Sequence, residues 1–422
     1  MKTSKHSSIT EISFMIIVLF TFFFSFSSIH AQESFKQFKG KVVDSNTNRS
    51  LEYANLTISG SHIATISNSE GEFILKIPDS LLNRMITVTY LGYYDKVVPI
   101  TDLKAEKNTI SLKESIEKLD EVSVLTAQPE EIIRKVIKNR KSNYWEDPVI
   151  MTAFYRESIK KGRKYASLAE AVVDIYKRGY SSVQSKDYVK IYKARKSSNY
   201  KRLDTLLIKL QGGPYNNLNI DLLQNEAMLL DEGVFDNYRF SFDKVINLSN
   251  RPVYVLNFEP RVQIDIPLFY GKLYIDKQSH ALIKADFSLK LDNIEKASKF
   301  FVKKKPSKAD VFPIIANYQI DFKEDNGKWH YGYSRIELAF KIDWDKKLFN
   351  SKYYITIEMA STDWKYNLDK QSVKYKDRFK SHQVLQDKIS GFSDPDFWGE
   401  YNIIEPEKSI ENAIKKIQRS NR

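Results

Sequence analysis

Apolar residues at every second position, in short runs separated by turn residues, are the feature that most limits what this chain can become. Between Phe38 and Leu112 the sets Phe38, Gly40, Val42; Ala54, Leu56, Ile58; Phe73, Leu75, Ile77; and Ile86, Val88, Tyr90 all keep that period. Successive side chains of a strand point to opposite faces, so each run predicts a strand with one face in a core. Asn68-Ser69-Glu70-Gly71 supplies the turn that returns Phe73 to that core. The Asn68 side chain can bond the backbone ahead of it, and Gly71 can take positive φ.

The same alternation returns from Thr152 to about Asp363, rich in Tyr, Phe, Val and Ile. Two hairpins are predicted there. Leu268 to Ile275 and Ala281 to Leu289 flank Asp276-Lys277-Gln278-Ser279, and Ile314 to Phe322 and Trp329 to Phe340 flank Glu324-Asp325-Asn326-Gly327. Tyr353 to Met359 adds a strand. Ala166 to Tyr176 fits either a helix or a strand and is read as a strand, with Glu170 and Asp174 on a solvated edge. Pro129, Glu130 and Glu131 open a helix that carries Ile132, Ile133, Val136 and Ile137 on one face and ends near Asn143. Asp204 to Phe235 is irregular, with a short helix expected around Leu222 to Leu230, and reads as an insertion across a curved sheet. A last helix is expected over Ser409 to Gln418, with Ile410, Ile414 and Ile417 facing the sheet.

Two stretches resemble known families. Gly40-Lys41-Val42-Val43-Asp44, Ala54-Asn55-Leu56-Thr57-Ile58, Gly71-Glu72-Phe73 and Tyr90-Leu91-Gly92-Tyr93 resemble the carboxypeptidase-regulatory-like domain of Gram-negative cell-envelope proteins, which implies a transthyretin-like β-sandwich. Ser67-Asn68 stands where that family usually has Thr-Asp, which puts calcium binding at the turn in doubt. Gly271-Lys272-Leu273-Tyr274-Ile275-Asp276 resembles a strand and turn of lipoprotein-carrier-like half barrels. The expected class is therefore mainly β: a sandwich over 36–113, a linker and helix over 114–148, and over 149–422 a large antiparallel curved sheet or half barrel with a C-terminal helix.

Lys2 and Lys5, the apolar run from Phe14 to Phe26 and Ile29-His30-Ala31 have the order of a secretory signal peptide over 1–31, with cleavage expected after Ala31. The apolar run falls short of the ~20 residues a spanning helix needs, so no transmembrane span is expected after processing. The chain has no cysteine, which excludes disulfides, thiolate metal sites, cysteine nucleophiles and a lipidated N-terminal cysteine. The formal net charge is +13, and since charges nearly balance between Gln32 and Lys113, the excess belongs to the second half. Lys190, Lys193, Arg195 and Lys196 form the candidate rim for an anionic ligand there. Export argues against nucleic acid as their partner, although tyrosines interleave them.

No motif for chemistry emerges. His62, His280, His330 and His382 are isolated, there is no His-Glu-x-x-His helix, and neither a phosphate loop nor a Gly-x-Ser-x-Gly elbow occurs. Asp394 and Asp396 flank Pro395 and read as turn residues. No catalytic residue, metal or cofactor is assigned. The expected role is a non-enzymatic, exported binding or scaffolding protein, periplasmic or outer-membrane associated. Its partner would be an envelope component: a lipid, a glycan or an outer-membrane protein. One version places an amphiphile in a cavity of the second half, and its counterpart has that space filled by aromatic side chains and the last helix. The alternative function is a hydrolase acting on envelope polysaccharide or peptide through dispersed carboxylates.

Overall fold

The computed structural model describes residues 34–115, 128–181, 186–198, 212–225, 229–230, 232–249, 251–261, 268–301, 309–345, 350–389, 397–408, 410 and 412. The leader, the pair Asp394 and Asp396, and most of the helix expected over Ser409 to Gln418 lie outside them. Of that helix, Ile410 is described, packed against Tyr165 and Leu168.

The N-terminal strands are β1 (Phe35–Asp44), β2 (Asn55–Ile58), β3 (Ala64–Ile66), β4 (Glu72–Pro78), β5 (Met85–Thr89), β6 (Lys96–Pro99) and β7 (Asn108–Leu112). They form two sheets, β4-β1-β7 and β3-β2-β5-β6, and β1 pairs β7 in parallel. Val42, Leu56, Ile58, Phe73, Leu75, Ile86 and Val88 fill the space between these sheets, as their period of two requires. At the turn, Asn68 Oδ1 accepts the N–H groups of Glu70 and Glu72, each at 2.9 Å, and Gly71 has φ +75°. Phe73 is 1 % exposed. Phe73→Ala is therefore expected to cost ~3 to 5 kcal/mol, read as a lowered urea midpoint of the full chain.

A connector leads into α1 (Pro129–Lys138) and α2 (Arg140–Asn143), so the predicted helix is present with a break at Asn139. Then follow β8 (Val149–Lys161), β9 (Lys164–Lys177), β10 (Tyr188–Ser198), α3 (Pro214–Asn219), α4 (Glu232–Phe235), β11 (Tyr238–Leu248) and β12 (Arg251–Pro260). The chain continues through β13 (Phe269–Asp276), β14 (Leu282–Leu289), α5 (Ile294–Phe301), β15 (Ala309–Asp325), β16 (Lys328–Trp344) and β17 (Ser351–Tyr366). These strands make one ten-stranded sheet in the order β10-β9-β8-β17-β16-β15-β14-β13-β12-β11, antiparallel throughout and open between β10 and β11. Both predicted hairpins are present, and Asn326 and Gly327 take the positive φ values, 49° and 79°, that a tight hairpin turn demands. The short helix expected near Leu222 forms instead at α3, where Gly213 and Pro214 set its start.

The two faces of this sheet do different work. One is covered by α1, α3 and α4, the last two being described parts of the segment read as an insertion. Ile132, Leu218 and Phe235 meet Met151, Tyr155, Leu273 and Ile355 in a continuous core, so among the described residues this face is filled by the chain's own side chains. The opposite face turns toward the N-terminal sandwich, where Ile66 and Ile74 pack with Phe154, Val172, Tyr333 and Trp398.

Candidate functional site

The sandwich-side face carries one uninterrupted polar row. Following the register across the strands gives Ser241, Asn257, Lys272, Asp286, Gln319, Arg335, Glu358, Arg156, Glu170 and Arg195, each directly opposite the next. Directly opposed residues share a face of the sheet, so their side chains meet. From Arg335 onward the charges alternate in sign.

That second half of the row is sealed. Glu170 is fully buried between Arg156, at 2.8 Å, and Arg195, at 2.8 Å, while Arg335 pairs with Glu358 at 2.6 Å. Burial works against ionisation of Glu170, but the two guanidiniums outweigh it and hold its carboxyl below the usual range. The segment 397–408 forms the lid. Arg156 donates to the Ile404 carbonyl at 2.7 Å, and the Arg195 guanidinium lies over the Trp398 ring at 4.8 Å. The segment also grips the sandwich: Thr65 donates to the Ile403 carbonyl at 3.1 Å, Asn68 to the Glu405 carbonyl at 3.2 Å, and the Asn402 side chain bonds the Lys76 backbone in both directions. The Asn68 turn thus serves as an anchor for the chain's C-terminal segment.

The first half of the row, on β11 to β15, is left open. Here the sandwich overhangs the sheet and encloses a cleft of ≈ 630 Å³. Its roof is the outward side of β2 and β5, where Asn55 faces Thr89 and Thr57 faces Thr87 across the strand pair. Leu56, Ile58, Ile86 and Val88 point the other way into the sandwich, so the same alternation that builds the core puts amide and hydroxyl groups on the roof. The floor is Lys272, Tyr274, Lys284, Gln319 and Asp321. Lys284 lies 3.4 Å from Asp286 and 3.6 Å from Asp321, and Gln319 donates to Asp321 at 2.7 Å. Burial disfavours the Lys284 charge, and the two carboxylates overcome this and raise its pKa. Burial pushes the Asp321 carboxyl up.

One end of the cleft is aromatic. His330 stacks on Trp145 with ring centres 3.9 Å apart, Trp145 touches Trp364 at 3.9 Å, and Trp364 touches His62 at 4.0 Å. Burial drives the His330 pKa down to about 3, so the ring is neutral in this stack. Beside it, burial brings Lys323 down to about 8, and its ammonium donates to the Ser361 carbonyl at 3.3 Å. Among the described residues, no group of three or more His, Cys, Asp or Glu side chains is placed to hold a metal ion. The cleft's chemistry is that of hydrogen bonding, paired charge and ring faces.

Comparison with known proteins fixes the nature of the roof. Residues 38–124 match the family model of the CarboxypepD_reg-like domain. The resemblance read from Gly40, Ala54, Gly71 and Tyr90 thus holds for the sandwich, and the rest of the chain lies beyond the CarboxypepD_reg-like match. No curated protein matches the chain. Among solved structures, a DUF1329 family protein from Desulfovibrio piger aligns over 57% of this chain and 95% of its own, at 11% identity and a TM-score of 0.24. A LolA superfamily protein from Nitrosomonas europaea aligns over 61% of this chain and 100% of its own, at 9% identity and a TM-score of 0.22. Lipovitellin, in a structure of its lipid-protein interactions, aligns over 61% of this chain and 29% of its own, at 8% identity and a TM-score of 0.27. Similarity at this level carries no information about a ligand, which the cleft's geometry has to supply.

The residues singled out in the sequence as an anionic rim all lie on β10, at the edge of the sheet. They do not share one face. Lys190 is opposite Asp174, Lys193 opposite Val172 and Arg195 opposite Glu170, on the side facing the CarboxypepD_reg-like sandwich, with a bulge between Ile191 and Lys193. Lys193 donates to the Phe397 carbonyl at 3.3 Å, so the lid segment occupies this side. Lys196 points the opposite way, to the Gln386 carbonyl. Glu170, read as part of a solvated edge, is instead fully buried, because the register sets it between two arginines under the lid.

Proposed function

We propose that the chain is a non-enzymatic, exported binding protein of the cell envelope, and that its ligand seat is the cleft between the CarboxypepD_reg-like sandwich and the open half of the sheet. The observation that carries this reading is the pairing of two polar sheet surfaces, Asn55, Thr57, Thr87 and Thr89 above Lys272, Lys284, Gln319 and Asp321, around ≈ 630 Å³ of space. Concave sites with a few fixed polar groups are the usual form of a ligand site. Export is supported by the charged, apolar and small-residue order ending at Ala31, and no helix of the described residues is long and apolar enough to cross a membrane. The filled helix-covered face supports a polar ligand in the cleft over an acyl chain in the sheet. Asp321 is engaged by Lys284 and Gln319, which supports binding over hydrolysis at this carboxylate.

Thr57→Trp places a large ring on the roof without touching the sandwich core. Native mass spectrometry of the full chain incubated with soluble envelope extract is expected to show an adduct on the parent protein that the variant loses, at an unchanged melting temperature. Identical adducts on both proteins contradict the cleft as the seat.

A further inference from the structure

Resting on the cleft as the ligand seat, we infer that its ligand is a linear, uncharged glycan laid across strands β11 to β15. A second groove of ≈ 990 Å³ lies on the same face, lined by Ser241, Asn257, Tyr270, Ser288 and Asn317 among others. Lys272 lines both the cleft and this groove, so the two are neighbouring stretches of one track. The track follows the open half of the polar row, crossing strands whose spacing of ~4.8 Å gives a path of roughly 19 Å. Such a length calls for a chain of several sugar rings.

Four features select the chemistry. First, β12 to β15, which carry most of the track, are paired on both sides, so an extended peptide lying across them could not add itself through backbone hydrogen bonds. Second, three of the cations lining the cleft are neutralised from within: Lys272 pairs with Asp243 at 2.6 Å, Lys284 with Asp286 and Asp321, and Arg251 with Glu324. An anionic polymer would have to displace these carboxylates. Third, an acyl chain laid over Lys272, Asp286 and Gln319 would strip water from polar groups and return no hydrogen bond. Fourth, hydroxyl and amide side chains alternate with ring faces. Tyr270 is 46% exposed, Tyr274 lies on the floor, and Thr57, Thr87, Ser288 and Asn317 line the same two hollows. Side-chain hydroxyls and amides both donate and accept and so match sugar hydroxyls, and the apolar faces of sugar rings are matched by tyrosine.

The test is calorimetric titration of the full chain with linear neutral oligosaccharides of two to six units, in the α-1,4-glucan, β-1,4-glucan and β-1,4-N-acetylglucosamine series. At least one series is expected to bind with affinity rising with length. Tyr270→Ala, at an exposed position, should weaken the hexamer about tenfold or more, a change of ~1.4 kcal/mol, and leave the dimer unaffected, whereas Thr57→Trp should abolish both. Length-independent binding that Thr57→Trp abolishes overturns the extended track and leaves the cleft standing. Binding by no member of any series overturns the glycan assignment, while the envelope-extract adduct separately reports on the cleft. Binding that survives both Thr57→Trp and Tyr270→Ala overturns the two readings together.

Discussion

Glu170→Gln is expected to cost the folded chain ~3 to 5 kcal/mol, the usual penalty for removing one partner of a buried ion pair. Two guanidiniums converge on Glu170, and Arg156 is only 2 % exposed. The neutral amide would leave both in a space that the 397–408 lid keeps dry. The parent's dependence on pH has a defined sign. The folded carboxyl titrates below its ordinary value of 4.5, so its contribution is present above that value and is lost as pH falls through the lowered one. Urea unfolding at pH 7 checks the magnitude. A double-mutant cycle of Arg156→Met with Glu170→Met checks the cause, because the double variant should be less damaged than the sum of the singles. A midpoint unmoved by Glu170→Gln would remove the sealed row from the account.

Glu157→Gln is expected to act in the opposite direction. Glu157 is fully buried on the helix-covered face, where it accepts hydrogen bonds from the Tyr155 hydroxyl at 2.7 Å and the Gln386 amide at 3.1 Å. Burial raises its pKa from 4.5 to about 7, with these donors only partly offsetting the effect. An acid whose folded pKa is raised contributes stability that is complete below pH 4.5 and disappears as pH rises through about 7. At ~1.4 kcal/mol per pKa unit, the ionised form carries a burden of roughly 3 kcal/mol. The amide keeps the volume, and its NH2 can donate to Tyr155, whose hydroxyl serves as donor or acceptor. The variant should therefore gain ~2 to 3 kcal/mol over the parent at pH 8.5 and nearly match it at pH 4.5. Urea titrations at the two pH values measure it, and equal stability differences at both would refute the buried, proton-holding carboxyl.

Much of the fold could be read because its signals are local. The runs at Leu56, Phe73 and Val88, the Asn68 and Asn326-Gly327 turns, and the Pro129 helix each depend on residues within one element. Ala64–Ile66 escaped because all three of its residues are buried and Lys96–Pro99 because none is, so neither shows an alternation. The polar row escaped for a different reason. Arg195, Arg335 and Glu358 have charged or polar neighbours two residues away on their own phase, which alone reads as a face toward water. Only the register of strands far apart in sequence shows that they meet. One local signal was available: around Glu170, both phases are apolar, with Leu168 and Val172 on its own side and Ala169, Ala171 and Val173 on the other, a pattern that belongs to a strand buried on both faces. The cleft is harder still, since Asn55 and Thr57 look like ordinary outward residues until the sheet is seen beneath them.

Hydroxyl-radical footprinting of the full chain, with and without the binding fraction of soluble envelope extract, tests the outer-face cleft most directly. Protection is predicted at Tyr270 and Tyr274 along the track, with no change at Tyr375, which is exposed elsewhere. Protection at Tyr375 with Tyr270 and Tyr274 unchanged would contradict the account.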